Sequence, residues 1–144
     1  MQSLPHIYKA TAKAETTSHL DLSVENLPSL EVAPPIGFNG PGDKWSPEDL
    51  LMASVASCTI LSFKAIARAS KLDWLTLTCV SEGILDRVER TTQFTQITTK
   101  AVLTIPVGGN KEKAVKLLHK AEETCLISNS LTAKSDIECG VLFG

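Results

Sequence analysis

The sequence contains no C-x-x-C pair and no strong excess of charge of either sign. Its four cysteines stand at positions 58, 79, 125 and 139, and these gaps match neither a zinc knuckle nor a thioredoxin-type motif. The net charge of −2 gives no electrostatic basis for binding nucleic acid or an anionic membrane surface. We therefore expect no bound metal, no nucleic acid partner and no membrane partner.

The sequence also lacks a basic segment followed by an apolar core near Met1, which is the pattern of a secretory signal. No apolar run approaches the roughly 20 residues that would span a bilayer. A length of 144 residues with 43% hydrophobic content is typical of one soluble domain. We expect a single domain over residues 1–144 and a cytoplasmic location, where cysteines are reduced at rest.

Before residue 33 the chain alternates polar and apolar residues, which predicts half-buried antiparallel strands. These strands are expected over residues 7–14, 20–25 and 30–32. The stretch 34–43 is dense in proline and glycine and predicts a loop. Ile36 and Phe38 are apolar, so we expect them to anchor this loop.

A long helix is predicted from Ser46 to about Ser70. Ser46 can cap it, Pro47 suits its first position, and Asp49 completes a Ser-x-x-Asp capping pattern. From Leu50 onward its residues are apolar or small nearly all round, which indicates burial on more than one side.

The rest of the chain predicts two long strands, a second helix and a final strand. These elements cover residues 73–88, 92–105, 111–124 and 131–143. The two long strands are joined by a hairpin turn that carries no glycine signal. Cys79 and Cys139 fall on apolar strand faces, so we expect both in the core. Strands and helices do not alternate regularly, which predicts an α+β fold with antiparallel sheets.

Three motifs carry a resemblance to a known family. They are Trp-Ser-Pro-Glu-Asp-Leu-Leu at 45–51, Ala-Ser-Cys at 56–58 and Cys-Leu-Ile-Ser-Asn-Ser-Leu at 125–131. In these motifs, and in element order over nearly the whole chain, the sequence resembles the OsmC/Ohr family of osmotically inducible and organic hydroperoxide resistance proteins. The resemblance implies an intertwined homodimer whose antiparallel sheets pack on long central helices.

The same resemblance implies thiol-dependent reduction of organic hydroperoxides to alcohol and water. It makes Cys58 the peroxidatic thiolate, Cys125 the resolving thiol and Glu48 an active-site carboxylate. The chemistry of the residues agrees, because a thiolate that attacks the O–O bond of a peroxide becomes a sulfenic acid, which a second thiol converts to a disulfide. A cellular dithiol then restores the pair by exchange, and no cofactor is needed.

Two other functions fit the same residues. A stress-induced sensor would use the cysteine pair to respond to oxidation without turnover. A small-molecule-binding protein would use a cleft of the dimer, and its thiols would be incidental.

Glu48 cannot reach Cys58 within one chain. It stands ten residues earlier in the predicted helix, which separates the two by about 15 Å along the axis. If both belong to one site, Glu48 comes from a partner subunit, and two antiparallel helices crossing near Ala53 would achieve this.

The sequence departs from the family pattern in its arginines. The family donates an arginine from the segment before the central helix to the active-site glutamate, whereas here no arginine precedes Trp45. Burial among apolar residues opposes ionisation of Cys58, so a cation is expected to compensate. The candidates are Lys9, Lys13, His19 and Lys44.

Overall fold

The computed structural model describes residues 1–16 and 19–144. Contacts group the chain into two compact units, Met1–Leu51 and Met52–Gly144. Each unit has its own three-stranded sheet. The expectation of a single domain over residues 1–144 stays a prediction.

The sheet of the first unit is antiparallel and orders its strands as β1, β2 and β3. These strands are Thr11–Ala14, Leu20–Ser23 and Leu30–Val32. The predicted first strand is too long at its N-terminal end, because β1 pairs residue for residue with the four residues of β2. The predicted second strand is too long at its C-terminal end, because β2 ends at Ser23 and a turn follows. Asn26 in this turn has a φ of 65°.

The loop after β3 contains one turn of 3₁₀ helix, Ile36–Phe38. The expectation that Ile36 and Phe38 anchor this loop by burial is wrong for the single chain, because they are 74% and 53% exposed. The loop is instead closed by backbone contact at Gly40, where a Cβ would lie 1.6 Å from the carbonyl oxygen of Pro34. Only glycine fits that position.

The long helix, α1, spans Pro47–Ala69 and begins as its sequence predicts. The Ser46 hydroxyl donates to the Asp49 carboxylate at 2.9 Å, and the Asp49 amide donates back to the Ser46 hydroxyl at 3.0 Å. The Ser46 amide also donates to that carboxylate. This reciprocal capping box satisfies amides that the first helical turn leaves without partners, and Ser46 is fully buried.

One stripe of α1 is buried, and its members recur every four residues. They are Val55, Thr59, Phe63 and Ala67. The expectation that α1 is buried on more than one side is therefore wrong for the single chain. Leu61, on the side opposite to that stripe, is 65% exposed.

By length and composition alone, α1 is long and apolar enough to cross a membrane, with a mean hydropathy of 1.8 over its most apolar stretch. The expectation that no run approaches this length was too strict. The finding is weak evidence for a membrane, because a core helix of a soluble protein passes the same test.

The sheet of the second unit has β5 at its centre, between β4 and β6. These strands are Thr76–Val88, Thr91–Ile105 and Lys134–Phe143. β4 pairs antiparallel with β5, but β6 pairs parallel with β5. The expectation of purely antiparallel sheets is therefore wrong for this pair, because the chain between β5 and β6 crosses back through helices before it re-enters the sheet.

That crossover contains α2, Lys111–Glu123, and a single short turn of helix, α3, Leu126–Asn129. Asn110 caps α2 by accepting a hydrogen bond from the Lys113 amide. One apolar stripe of α2 is buried in a core shared with α1 and β5, and its members are Ala114, Leu117, Leu118 and Ala121. The core of this unit comprises Phe63, Ala67, Ala101, Leu103, Ile105, Ala114, Leu117, Leu118 and Ala121.

Cys79 and Cys139 pack against this core, as expected. They flank Ala101 in the sheet, on β4 and β6 respectively. Burial raises the pKa of Cys79 to about 11, with a smaller contribution from Cys139, and burial also raises the pKa of Cys139. Both thiols are therefore neutral at physiological pH.

The turn between β4 and β5 is the predicted hairpin without glycine. Its two central residues, Glu89 and Arg90, have φ angles of 48° and 71°. Tight hairpins with this twist need positive φ at both positions, which side chains other than glycine, asparagine and aspartate adopt rarely.

Ser46→Ala removes the capping box and leaves buried amides without a partner. We expect it to lower the free energy of unfolding by about 1–2 kcal/mol, measured by urea denaturation at one protein concentration. Ser57→Ala is the matched control, since Ser57 is exposed and its hydroxyl bonds only to carbonyls of its own helix. Equal losses in the two variants would contradict the capping role.

Cys79 makes the stability fall at alkaline pH. Its thiol ionises near 9.0 in the unfolded chain but near 11 in the folded one, so the unfolded state releases a proton first as pH rises through this window. We expect the free energy of unfolding, measured under reducing conditions, to fall less steeply between these pH values in Cys79→Val than in the wild type. Parallel slopes would show that Cys79 contributes nothing.

Candidate active site

Cys125 lies in the second unit at the junction of α2 and α3, and its side chain is fully buried. Its amide donates to the carbonyl of Glu122, and its carbonyl accepts from the amide of Asn129. The backbone on both sides of the sulfur is thus fixed by helical hydrogen bonds.

The Ser128 hydroxyl donates to the Cys125 sulfur across 3.4 Å. Ser128 is only 7% exposed, so this hydrogen bond lies away from water. The Cys-x-x-Ser spacing places the two side chains on the same side of one helical turn. We did not predict Ser128 as a site residue, although this spacing was visible in the sequence.

The structure brings Cys58 and Cys125 together. Cys58 and Thr59 are consecutive residues of α1, and their side chains lie close enough to the Cys125 sulfur to help lower its pKa. Cys58 is partly exposed, whereas Cys125 is not. A solute can therefore reach the pair from the side of Cys58.

The surroundings of Cys125 favour its thiolate. Burial raises the pKa of Cys125, but hydrogen bonds outweigh it and leave the pKa below the ordinary value of a cysteine. In order of size these bonds come from the Ser128 hydroxyl, the Ser128 amide, and the side chains of Cys58 and Thr59. The stabilising groups are thus hydroxyls, an amide and a thiol.

Thr59 has one hydroxyl proton to donate. In the structure its hydroxyl lies 2.9 Å from the carbonyl oxygen of Val55, so donation to that carbonyl and donation to Cys125 exclude each other. The Ser128 hydroxyl donates to the sulfur itself, and we therefore regard Ser128 as the main donor.

Glu48 lies in the first unit, at the start of α1, and lines a mostly apolar cavity of about 450 Å³. Leu20, Val32 and Phe38 contribute apolar walls, and His19 contributes a second ionisable group. The cavity is large enough for a small organic molecule.

Of the four candidate cations, Lys44 is committed elsewhere. Its ammonium donates to the Glu31 carboxylate at 2.9 Å, and this contact holds the pKa of Glu31 low and the pKa of Lys44 high. His19 lines the cavity together with Glu48. His19 thus shares this cavity with Glu48, and its Nε2 lies 3.9 Å from the Glu31 carboxylate.

His19, Asp21 and Glu31 form a group whose ligand atoms lie within 4.8 Å of one another. Both carboxylates are exposed, and Glu31 is already paired with Lys44. The group is therefore explained as an ion-pair network on the sheet, and the expectation of no metal stays a prediction.

Known proteins with similar sequences point to one family. A family model described as OsmC-like protein matches residues 40–140. An uncharacterised protein of Bacillus subtilis (strain 168), YmaD, is 25% identical over 107 residues, which cover 72% of this chain and 71% of that protein.

Solved structures of similar fold extend over nearly the whole chain. An OsmC-like protein of unknown function from Vibrio cholerae has a TM-score of 0.84 at 17% identity, covering 94% of this chain and 99% of its own. An organic hydroperoxide resistance protein from Elizabethkingia anophelis has a TM-score of 0.77 at 22% identity, with full coverage of both chains. One from Legionella pneumophila has a TM-score of 0.73 at 24% identity, covering 97% and 99%.

At these identities the structural likeness establishes the fold, and the α+β class is confirmed. The resemblance seen in the sequence motifs is also confirmed, because the matched region contains both cysteines and Glu48. The chain belongs to the OsmC-like protein family.

Proposed function

We propose that this protein is a thiol-dependent peroxidase that reduces organic hydroperoxides to alcohols. The observation that carries the proposal is the contact between the partly exposed Cys58 and the buried, hydrogen-bonded Cys125. Support also comes from two proteins of like fold that are named organic hydroperoxide resistance proteins.

The cycle begins when the Cys58 thiolate attacks the terminal oxygen of the hydroperoxide. An S–O bond forms, the O–O bond breaks, and the alkoxide leaves and takes a proton to become the alcohol. The Cys125 thiolate then attacks the sulfur of the Cys58 sulfenic acid, forming the disulfide and releasing hydroxide. A cellular dithiol reduces this disulfide by two exchange steps, so no other cofactor is required.

A homodimer completes the site in this proposal. The outward side of α1 is apolar and open in the single chain, as the exposure of Leu61 shows, and large exposed apolar surfaces mark interfaces. Glu48 and Cys58 belong to the same helix but stand ten residues apart. If a second copy packs its α1 antiparallel near Ala53, the Glu48 of each chain lies beside the Cys58 of the other.

The apolar cavity that Glu48 lines then becomes the binding place for the organic part of the substrate. Apolar walls favour an alkyl or aryl group over water. The protein acts in the cytoplasm, where dithiol reductants are available and thiols are kept reduced.

A second candidate function, a redox sensor without turnover, is favoured by one observation. No arginine precedes Trp45, and Lys44 is paired with Glu31, so the family's fork-shaped cation is absent from this part of the chain. Stoichiometry separates the two functions, because a sensor consumes one equivalent of peroxide per subunit and is not recycled by any dithiol.

Cys58→Ser removes the nucleophile. We expect it to abolish consumption of tert-butyl hydroperoxide in the presence of dithiothreitol, measured by loss of peroxide over many turnovers. Cys139→Ala is the control, since its thiol lies on β6 in the sheet and should leave turnover intact. If Cys58→Ser and the wild type turn over at equal rates, the enzyme proposal is wrong.

Leu61→Glu places a charge on the outward side of α1. We expect analytical ultracentrifugation to give the wild type a mass twice the 15.5 kDa of one chain. We expect Leu61→Glu to have the mass of a monomer and no activity. Val107→Glu is the matched control, because Val107 is 80% exposed and lies outside α1. A monomeric wild type with full activity would contradict the role of the second copy.

A further inference from the structure

The cavity of the first unit contains very little charge. Of the described residues that line it, only Glu48 and His19 have ionisable side chains, and the others are alanine, leucine, valine, phenylalanine or proline. A charged group that enters such a cavity loses its hydration, so it needs a partner of opposite charge there. The cavity therefore distinguishes ligands by the charge that they carry.

Glu48 is half-buried in the wall of this cavity. In the part of the chain that the structure describes, its carboxylate has no hydrogen bond and no ion pair. A carboxylate accepts hydrogen bonds from O–H and N–H groups and repels other anions. Glu48 therefore favours a ligand group that can donate a hydrogen bond.

The lysines of this unit do not offset that carboxylate. Lys44 donates to Glu31 at 2.9 Å, and Lys13 lines a separate, polar cavity that also contains two carboxylates. Lys9 is exposed and is not among the residues that line the apolar cavity. His19 has its Nε2 3.9 Å from the Glu31 carboxylate, and the unit contains no arginine. A negatively charged ligand therefore meets a carboxylate in this cavity and no lysine or arginine of this unit.

We propose that Glu48 makes this site selective for uncharged hydroperoxides, so that hydroperoxides carrying a carboxylate, such as those of fatty acids, are poor substrates. The inference rests on the proposed function and names its substrate class. The hydroperoxide group itself suits Glu48, because its O–H donates to a carboxylate. The carboxylate of an acidic hydroperoxide loses its hydration in the cavity and is repelled by Glu48.

This selectivity differs from the one that apolar walls alone would give. Apolar walls favour any ligand with enough hydrocarbon, so a long acyl chain would compensate for the carboxylate that it carries. Selection by charge instead weakens the binding of an anion at equal hydrocarbon content. Two ligands of the same size and shape that differ in charge therefore distinguish the two effects.

The test uses two unreactive alcohols, the para-carboxamide and the para-carboxylate of cumyl alcohol. They have the same ring and nearly the same shape, and only the carboxylate is charged. We expect the carboxylate to bind the full chain about tenfold more weakly at low ionic strength, because facing like charges are unfavourable in a site that excludes water. Titration followed by ligand NMR gives both dissociation constants. Equal or tighter binding of the carboxylate would overturn the proposal.

Glu48→Gln tests the source of the selectivity. Glutamine keeps the size and the hydrogen-bonding capacity of the side chain without its charge, so we expect the ratio of the two dissociation constants to fall toward one. A loss of structure affects both ligands alike, so this ratio reports on charge. Glu25→Gln is the matched control, since Glu25 is exposed in the same unit and does not line the cavity. An unchanged ratio in Glu48→Gln contradicts the role of Glu48.

Ala14→Phe tests whether the ligands occupy this cavity. Ala14 lines the cavity from the end of β1, so a phenyl ring at this position fills part of it and should weaken the binding of the carboxamide. Ala12→Phe is the matched control, because Ala12 is exposed on the same strand and does not line the cavity. Equal affinity of the two variants for the carboxamide would place the ligand elsewhere and overturn the assignment.

Turnover separates this inference from the proposed function. The value of kcat/KM is measured for cumene hydroperoxide and for its para-carboxylate, with dithiothreitol as reductant. If neither compound is reduced, the peroxidase proposal fails, whereas a preference for the carboxamide that depends on Glu48 still supports selection by charge. If both compounds are reduced with equal kcat/KM, the peroxidase proposal stands and the inferred selectivity is wrong.

Discussion

The site depends on the hydrogen bonding of one buried sulfur atom. Burial alone would raise the pKa of Cys125 and keep its thiol neutral, and a neutral thiol is a poor nucleophile. Hydrogen bonds outweigh burial and lower the pKa of Cys125, and the Ser128 hydroxyl, 3.4 Å from the sulfur, makes the largest contribution among them. The groups that favour the thiolate at this sulfur are therefore neutral dipoles.

The residues around the Cys125 sulfur come from two distant parts of the chain, α1 and the segment that contains α3. The capping box at Ser46 fixes where α1 begins, and Cys58 and Thr59 follow later on the same helix. α2 packs on the second unit's core through its apolar stripe, and Cys125 follows the C-terminal end of α2. The two thiols come close because α1 and α2 pack on one core.

Much of this was readable in the sequence. The capping pattern at Ser46 and Asp49 and the period of α2 are local signals, and local signals predict helices well. The roles of Cys58, Cys125 and Glu48 were suggested by motif and remain proposals, although the structure does bring the two sulfurs together. Ser128 was overlooked, since a serine three residues after a cysteine reads as an ordinary helix position.

The errors have a common physical origin. The direction of β6 beside β5 depends on how the crossover packs, and alternation along a strand is the same in parallel and antiparallel pairs. The exposure of Phe38 and Leu61 likewise depends on what covers them. A hydrophobic pattern indicates that a surface favours burial, but it does not indicate whether the same chain or a second chain packs against that surface.

The separation of Cys58 from Cys125 along the chain has a consequence for how the protein matures. Cys58 is synthesised long before Cys125, and the nascent chain must complete β4, β5 and α2 before the second sulfur reaches the first. Contacts so distant in sequence form late. If Cys58 is the reactive thiol proposed above, a growing chain exposes it before Cys125 has been made, so a sulfenic acid formed during translation has no Cys125 to resolve it.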